Sequence, residues 1–128
     1  MTSPTQDPKL DAILEQLKEN EVGLHWPARG TTRDELEAII GPDYWEIGAS
    51  GKAYDREIVL KVLQERAQVP SPQAWTVSEF WCREVGPRTY LLTYALDQGD
   101  RFTRRMSLWR DTGEQWRCLF HQGTIAER

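Results

Sequence analysis

The sequence predicts an α+β domain in which three helices pack on one face of a largely antiparallel sheet. Three observations predict it. Apolar residues recur at helical spacing in the first half, the pattern switches to period two after Pro72, and Gly86-Pro87, Gln98-Gly99 and Thr112-Gly113 divide the second half into four strands. At 128 residues the chain fits one domain, residues 1–128, with an ordered core from about 8 to 125 and disorder expected at residues 1–6 and the last two or three.

Asp7 before Pro8 reads as an N-cap with proline at the first helical position, and Leu10, Ile13, Leu14 and Leu17 then share a face, so the first helix is expected over Pro8–Glu21. Pro27 breaks the chain. Thr32 with Glu35 forms a capping box ahead of Leu36, Ile39 and Ile40, a short second helix stopping at Gly41-Pro42. Tyr44–Ala49 is rich in strand formers. Asp55 caps a third helix running to about Gln68, with Tyr54 stapled on Val59 and a buried stripe of Ile58, Val59, Val62 and Leu63. Four strands follow, at about Trp75–Val85, Arg88–Asp97, Arg101–Arg110 and Glu114–Ile125.

Register decides which side chains share a face. A three-residue loop at Asp111-Thr112-Gly113 pairs Arg110 with Glu114 and separates Met106, Leu108, Trp116, Cys118 and Phe120 from Thr103, Arg105, Ser107, Trp109, Arg117, Leu119 and His121. The same logic pairs Asp97 with Arg101 and sets Tyr90, Leu92, Tyr94 and Leu96 beside Leu108, Met106, Arg104 and Phe102 as the face meeting the helices. The opposite face would carry Leu91, Trp109 and Leu119, more apolar surface than a solvated face needs, so a second copy of the chain is expected to cover it.

Composition excludes several partners. Acidic residues number 20 against 16 basic ones, a net charge of −4, and the basic residues are scattered, which argues against nucleic acid. No run approaches a membrane span, and Met1–Asp7 lacks the features of a signal peptide, so a cytoplasmic protein is expected. Cys82 and Cys118 sit in strand-like runs as reduced, buried thiols. With two histidines and no ligand spacing, neither a metal nor a cofactor is expected.

The stretches Asp43–Gly51 (DYWEIGASG), Ser107–Arg110 (SLWR), Gly113 with Trp116, and His121–Thr124 (HQGT) carry a resemblance across residues 8–125. The chain resembles an uncharacterised bacterial branch of the nuclear-transport-factor-2-like superfamily, which includes steroid isomerases and small polyketide cyclases. The resemblance implies a cone-shaped, curved antiparallel sheet wrapping a pocket roofed by the helices, often in dimers joined through the sheets. No motif carries the isomerases' acid and tyrosine over to positions here, so catalysis is implied by fold alone.

The candidate polar residues are few. Glu46 lies between Trp45 and Ile47, where an ionised carboxylate is costly unless paired; burial would suit it to proton transfer, and an ion pair with Arg105 or Arg104 is the structural alternative. Arg105, Ser107 and His121 share a face and could hold a carboxylate or hydroxyl of a ligand, the alternative being a satisfied or interfacial histidine. Ser107 stands in mid-strand, without the sharp turn and oxyanion hole of a hydrolase nucleophile. Some of the six tryptophans should line a cavity, and His25-Trp26 could form its lip or simply pack. Gly48–Gly51 lacks the lysine of a phosphate loop. The leading expectation is a dimeric small-molecule-binding domain contacting its ligand through Glu46, Tyr94, Arg105, Ser107, Trp109 and His121. The alternatives are an isomerase, cyclase or dehydratase moving a proton on Glu46 or His121, and a non-catalytic interaction or structural protein.

Overall fold

The computed structural model describes residues 4–72 and 74–128. A short 3-10 turn at Pro8–Leu10, capped by the Asp7 side chain on the Lys9 amide, leads into α1 (Asp11–His25). Then come α2 (Arg33–Ile39), β1 (Ile40–Ile47), β2 (Ala53–Asp55), α3 (Arg56–Arg66), β3 (Thr76–Gly86), β4 (Thr89–Asp97), β5 (Phe102–Asp111) and β6 (Trp116–Ile125). The six strands form one curved, open sheet in the order β2-β1-β6-β5-β4-β3, antiparallel throughout except where β1 runs parallel to β6. Register breaks in β3, β1 and between β5 and β6 are bulges of the kind that bend a sheet around a core.

Local chemistry builds the helices as expected at their starts. Thr32 and Glu35 make the reciprocal capping box of α2, and the Asp55 side chain accepts from the Ile58 amide at 2.9 Å. Arg56 then donates to the Gly41, Ile40 and Glu37 carbonyls, satisfying acceptors that α2 leaves at its end.

The ends of elements differ from expectation. Helix α1 continues one full turn past Glu21 to His25, through Gly23 where the break was expected to begin, because a single glycine weakens a helix without stopping it and Pro27 is the first residue that does. Strand β1 starts at Ile40 and runs through Pro42; its pairing with β6 is interrupted between Ile40 and Trp45, where the missing proline N–H costs no ladder bond. The stripe of α3 is Val59, Leu60 and Leu63, while Ile58 and Val62 remain 46% and 37% exposed. The expectation of disorder at residues 1–6 falls partly on residues 1–3, outside the described residues. Gln6 exchanges two hydrogen bonds with the Cys82 backbone on β3, and Arg128 pairs with Asp97 at 3.1 Å.

Both hairpin registers differ from those expected, for one shared reason. Asp97 and Asp111 each accept from the amide of a glycine two residues on, Gly99 at 2.9 Å and Gly113 at 2.8 Å, and both glycines have φ near +90°. Each turn thereby takes four residues instead of three. Asp97 faces Phe102, and Arg110 faces Arg117. The β5 residues that share the helix-facing side with Tyr90, Leu92, Tyr94 and Leu96 are therefore Thr103, Arg105, Ser107 and Trp109. Trp109 is fully buried in the core rather than on the outer face. The outer face instead carries a row across four strands, Leu91, Leu108, Phe120 and Trp45, the last two with rings 4.9 Å apart.

Candidate functional site

Between α1, α3 and the inner face of the sheet lies a cavity of about 300 Å³. Helix α3 supplies an apolar wall of Ile58, Val59, Val62 and Leu63, extended by Leu24, Ile40 and Trp75. The opposite wall is polar. One register row places Leu92, Ser107, His121, Glu46 and Tyr54 side by side, with Arg105 one step along β5. Glu21 reaches this wall from α1.

The hydrogen bonds in the polar wall fix their own direction. Arg105 Nη1 lies 3.2 Å from His121 Nε2, and because a guanidinium only donates, Nε2 must accept. The imidazole proton is then on Nδ1, which donates to Ser107 Oγ at 2.7 Å, leaving the serine hydroxyl to serve the buried Glu21 carboxyl. Trp109 Nε1 points at Glu21 Oε1 from 3.4 Å, and Tyr94 OH is hydrogen-bonded to His25 Nε2. The Gly123 position opposite Arg105 has no side chain for a reason: a Cβ there would lie 2.9 Å from Arg105 Nη1.

Burial dominates the electrostatics. It raises the Glu21 carboxyl to about 7, against the lowering influence of Ser107, Trp109, Arg105 and Tyr94. It lowers His121 to about 3, assisted by the Arg105 charge, so the imidazole is neutral and its 4.0 Å approach to Glu21 is a polar contact rather than an ion pair. His25 is likewise held well below its ordinary value, by burial first and then by His121, Arg105 and Arg66. Burial also pushes the Tyr94 hydroxyl well up, and the Glu21 charge adds to it.

No protein-family model and no curated protein matches the sequence. Solved structures do. An NTF2-like protein from Cytophaga hutchinsonii superposes with a TM-score of 0.67 at 15% identity, covering 94% of this chain and 100% of that one. A cystatin-like fold protein from Burkholderia xenovorans gives 0.68 at 12%, covering 95% of each chain. A proposed ketosteroid isomerase from Parabacteroides distasonis gives 0.64 at 15%, again covering 95% of each. The chain has the nuclear-transport-factor-2-like fold.

Within this NTF2-like frame, three of the six expected ligand contacts line the cavity: Glu46, Arg105 and His121. Ser107, Tyr94 and Trp109 stand behind that lining, each nearly or fully buried. Glu46 makes no ion pair with either arginine. It accepts from Tyr44 OH at 2.7 Å, and Arg104 lies 3.5 Å from Glu79 on the outer side. His25 lines the cavity from the last turn of α1, while Trp26 packs edge-on against Trp75. Cys82 and Cys118 are buried free thiols, and among the described residues no cluster of His, Cys, Asp and Glu could hold a metal. No described helix is long and apolar enough to cross a membrane.

Glu21 is the residue that sequence reasoning missed. A signal for it exists: Leu10, Leu14, Leu17 and Glu21 follow one another at spacings of four, three and four, so a carboxylate occupies the next position of the buried stripe.

Proposed function

We propose that the protein is a small-molecule-binding domain whose cavity takes a compact, partly apolar ligand. Glu46, Arg105 and His121 contact its polar end, and Ser107, Tyr94 and Trp109 hold those groups or their neighbours from behind. The observation that carries this reading is a cavity of about 300 Å³ with one apolar wall and one wall of convergent hydrogen-bonding groups, the usual make-up of a ligand site. Val62 lines the apolar wall and is only partly covered, so Val62→Trp fills the cavity without displacing core. Ligand-observed NMR with a fragment library should give hits that compete with one another and vanish in Val62→Trp. Hits that persist in the variant would place binding elsewhere.

The proposal includes a homodimer through the outer face of the sheet, since the row of Leu91, Leu108, Phe120 and Trp45 leaves Trp45 46% exposed. Sedimentation equilibrium should resolve a dimer that Phe120→Glu converts to monomer; a monomeric parent protein removes this part.

One observation favours a second reading, an isomerase, cyclase or dehydratase. A carboxyl with a pKa of about 7 beside a cavity can both give and take a proton at neutral pH. That group is Glu21. His121 suits the role poorly, because its free nitrogen accepts from Arg105 and burial holds it neutral down to about pH 3. The proposed isomerase among the structural neighbours is consistent with this reading at the level of fold.

A further inference from the structure

We infer that the ligand of this cavity is an organic monocarboxylate on a small apolar body, its charged end seated between Arg101 and Arg105 and its body on the α3 wall. The inference rests on the binding reading above and names the chemical class that the site selects. Three arginines border the cavity: Arg66 from α3, Arg101 from the turn between β4 and β5, and Arg105 from β5. Among the described residues, none of the three lies within ion-pair distance of a carboxylate, although the surface arginines Arg33, Arg88, Arg104 and Arg128 all do.

Their hydrogen bonds are also incomplete. Arg101 Nε is buried without a partner among the described residues. Arg105 directs Nε to Thr103 at 2.9 Å and Nη1 to His121, leaving Nη2 for a ligand. Arg66 is held at Nη1 by the His25 carbonyl at 2.8 Å and by the faces of Trp26 and Trp75, 5.4 and 5.8 Å from its guanidinium carbon. A guanidinium stays charged in a protein, and a buried charge without a counter-ion is costly.

The opposing charge in the cavity is small. Glu46 is engaged by Tyr44, Glu21 is about half protonated near neutral pH, and both histidines are neutral. Three cations therefore face between one and two negative charges, in a chain whose net charge is −4. One more monoanion brings the cavity close to balance. A planar carboxylate matches the guanidinium fork, and Ile58 and Val62, 46% and 37% exposed, offer apolar surface on the cavity wall.

Calorimetric titration of the whole protein at pH 7.5 tests this with octanoate, 4-phenylbutyrate and naphthalene-2-carboxylate, each paired with its primary amide, and with inorganic phosphate. The acids should bind at least about tenfold more tightly than their amides. Arg101→Gln should weaken the acids by about tenfold and the amides, which lose no ion pair, by much less; among the described residues Arg101 makes no side-chain hydrogen bond that the fold would miss. Arg66→Gln is the second variant, expected to act in the same direction. Amides that bind as well as acids, or an Arg101→Gln that weakens both equally, would overturn the anionic class while the receptor stands. Phosphate binding as tightly as the acids would overturn the apolar body. No binding by either series would overturn the inference and the binding reading together.

Discussion

The two walls of the cavity solve opposite problems. On the β5–β6 wall every buried polar group is turned toward another: Arg105 to His121, His121 to Ser107, and Ser107 and Trp109 to Glu21. On the α3 wall Ile58 and Val62 line the cavity and keep 46% and 37% of their surface exposed. The first wall is fixed in geometry at a cost in desolvation; the second is anchored in the core by Val59 and Leu63 and keeps part of the surface of Ile58 and Val62 available. The difference teaches that the polar wall sets orientation while the apolar wall supplies burial to whatever enters.

The largest way to break the polar wall is Glu21→Gln. The Glu21 carboxyl stands near 4.5 in the unfolded chain and at about 7 in the folded one, so the folded state holds the proton longer. Its contribution is fully present below pH 4.5 and is lost as pH rises through 7, a loss of roughly 3 kcal/mol on the linkage relation. The glutamine variant lacks that loss. Denaturant unfolding should give it similar stability to the parent at pH 4 and roughly 3 kcal/mol more at pH 8. A variant no more stable at pH 8 would mean that the carboxylate is solvated and the wall is not dry. The His121 contribution runs the other way. Its value falls from 6.5 unfolded to about 3 folded, so its stabilisation is present above pH 6.5 and is lost as pH falls through 3, and it is common to both proteins.

The apolar wall, the three helices and the long strands were readable from periodicity and capping, since Thr32, Asp55 and the switch to period two depend only on neighbours in sequence; the three-residue β2 was not, because it is defined only by its pairing with β1. The grouping of Arg105, Ser107 and His121 was readable as well, although the register was not. Each Asp-x-Gly turn adds one residue to its loop, and the second loop also starts one residue later because Asp111 joins β5, so Arg110 shifts three places from Glu114 to Arg117; the bulge near Leu119 adds one more, so that His121 faces Ser107. The shift from Thr103, the expected partner of His121, to Ser107 is even, and an even shift keeps a side chain on its face. Cys118, before the bulge, received only an odd shift: it stays on the helix-facing side where it was expected but now faces Trp109 in place of Met106, and it is the set of Trp109, Ser107 and His121 that moved in from the expected outer face. Glu21 was hidden for another reason. A glutamate near a predicted helix end reads as solvated, and only the extra turn to His25 brings it inside.

The smallest expected effect sharpens the comparison most, because it perturbs the polar wall while leaving burial almost intact. Gly123 faces Arg105 across the β5–β6 ladder, and the Cβ of an alanine there would come within 2.9 Å of Nη1 and 3.1 Å of Cζ. The obstructing atoms belong to the far end of a long side chain, so the guanidinium can swing away from His121 with the backbone in place. Gly123→Ala should therefore lower stability by no more than about 1 kcal/mol, within the range of an ordinary surface change or a single neutral hydrogen bond. Moving the Arg105 charge also removes one of the two influences that hold His121 down. The His121 imidazole should then titrate at a higher pH, read from its ring carbon signals by NMR, while helix α3 amides keep their positions. A His121 titration unchanged in Gly123→Ala would mean that burial alone sets the imidazole and that the Arg105 contact orders nothing. A large loss of stability would mean that the glycine supports the strand itself rather than the arginine that lies over it.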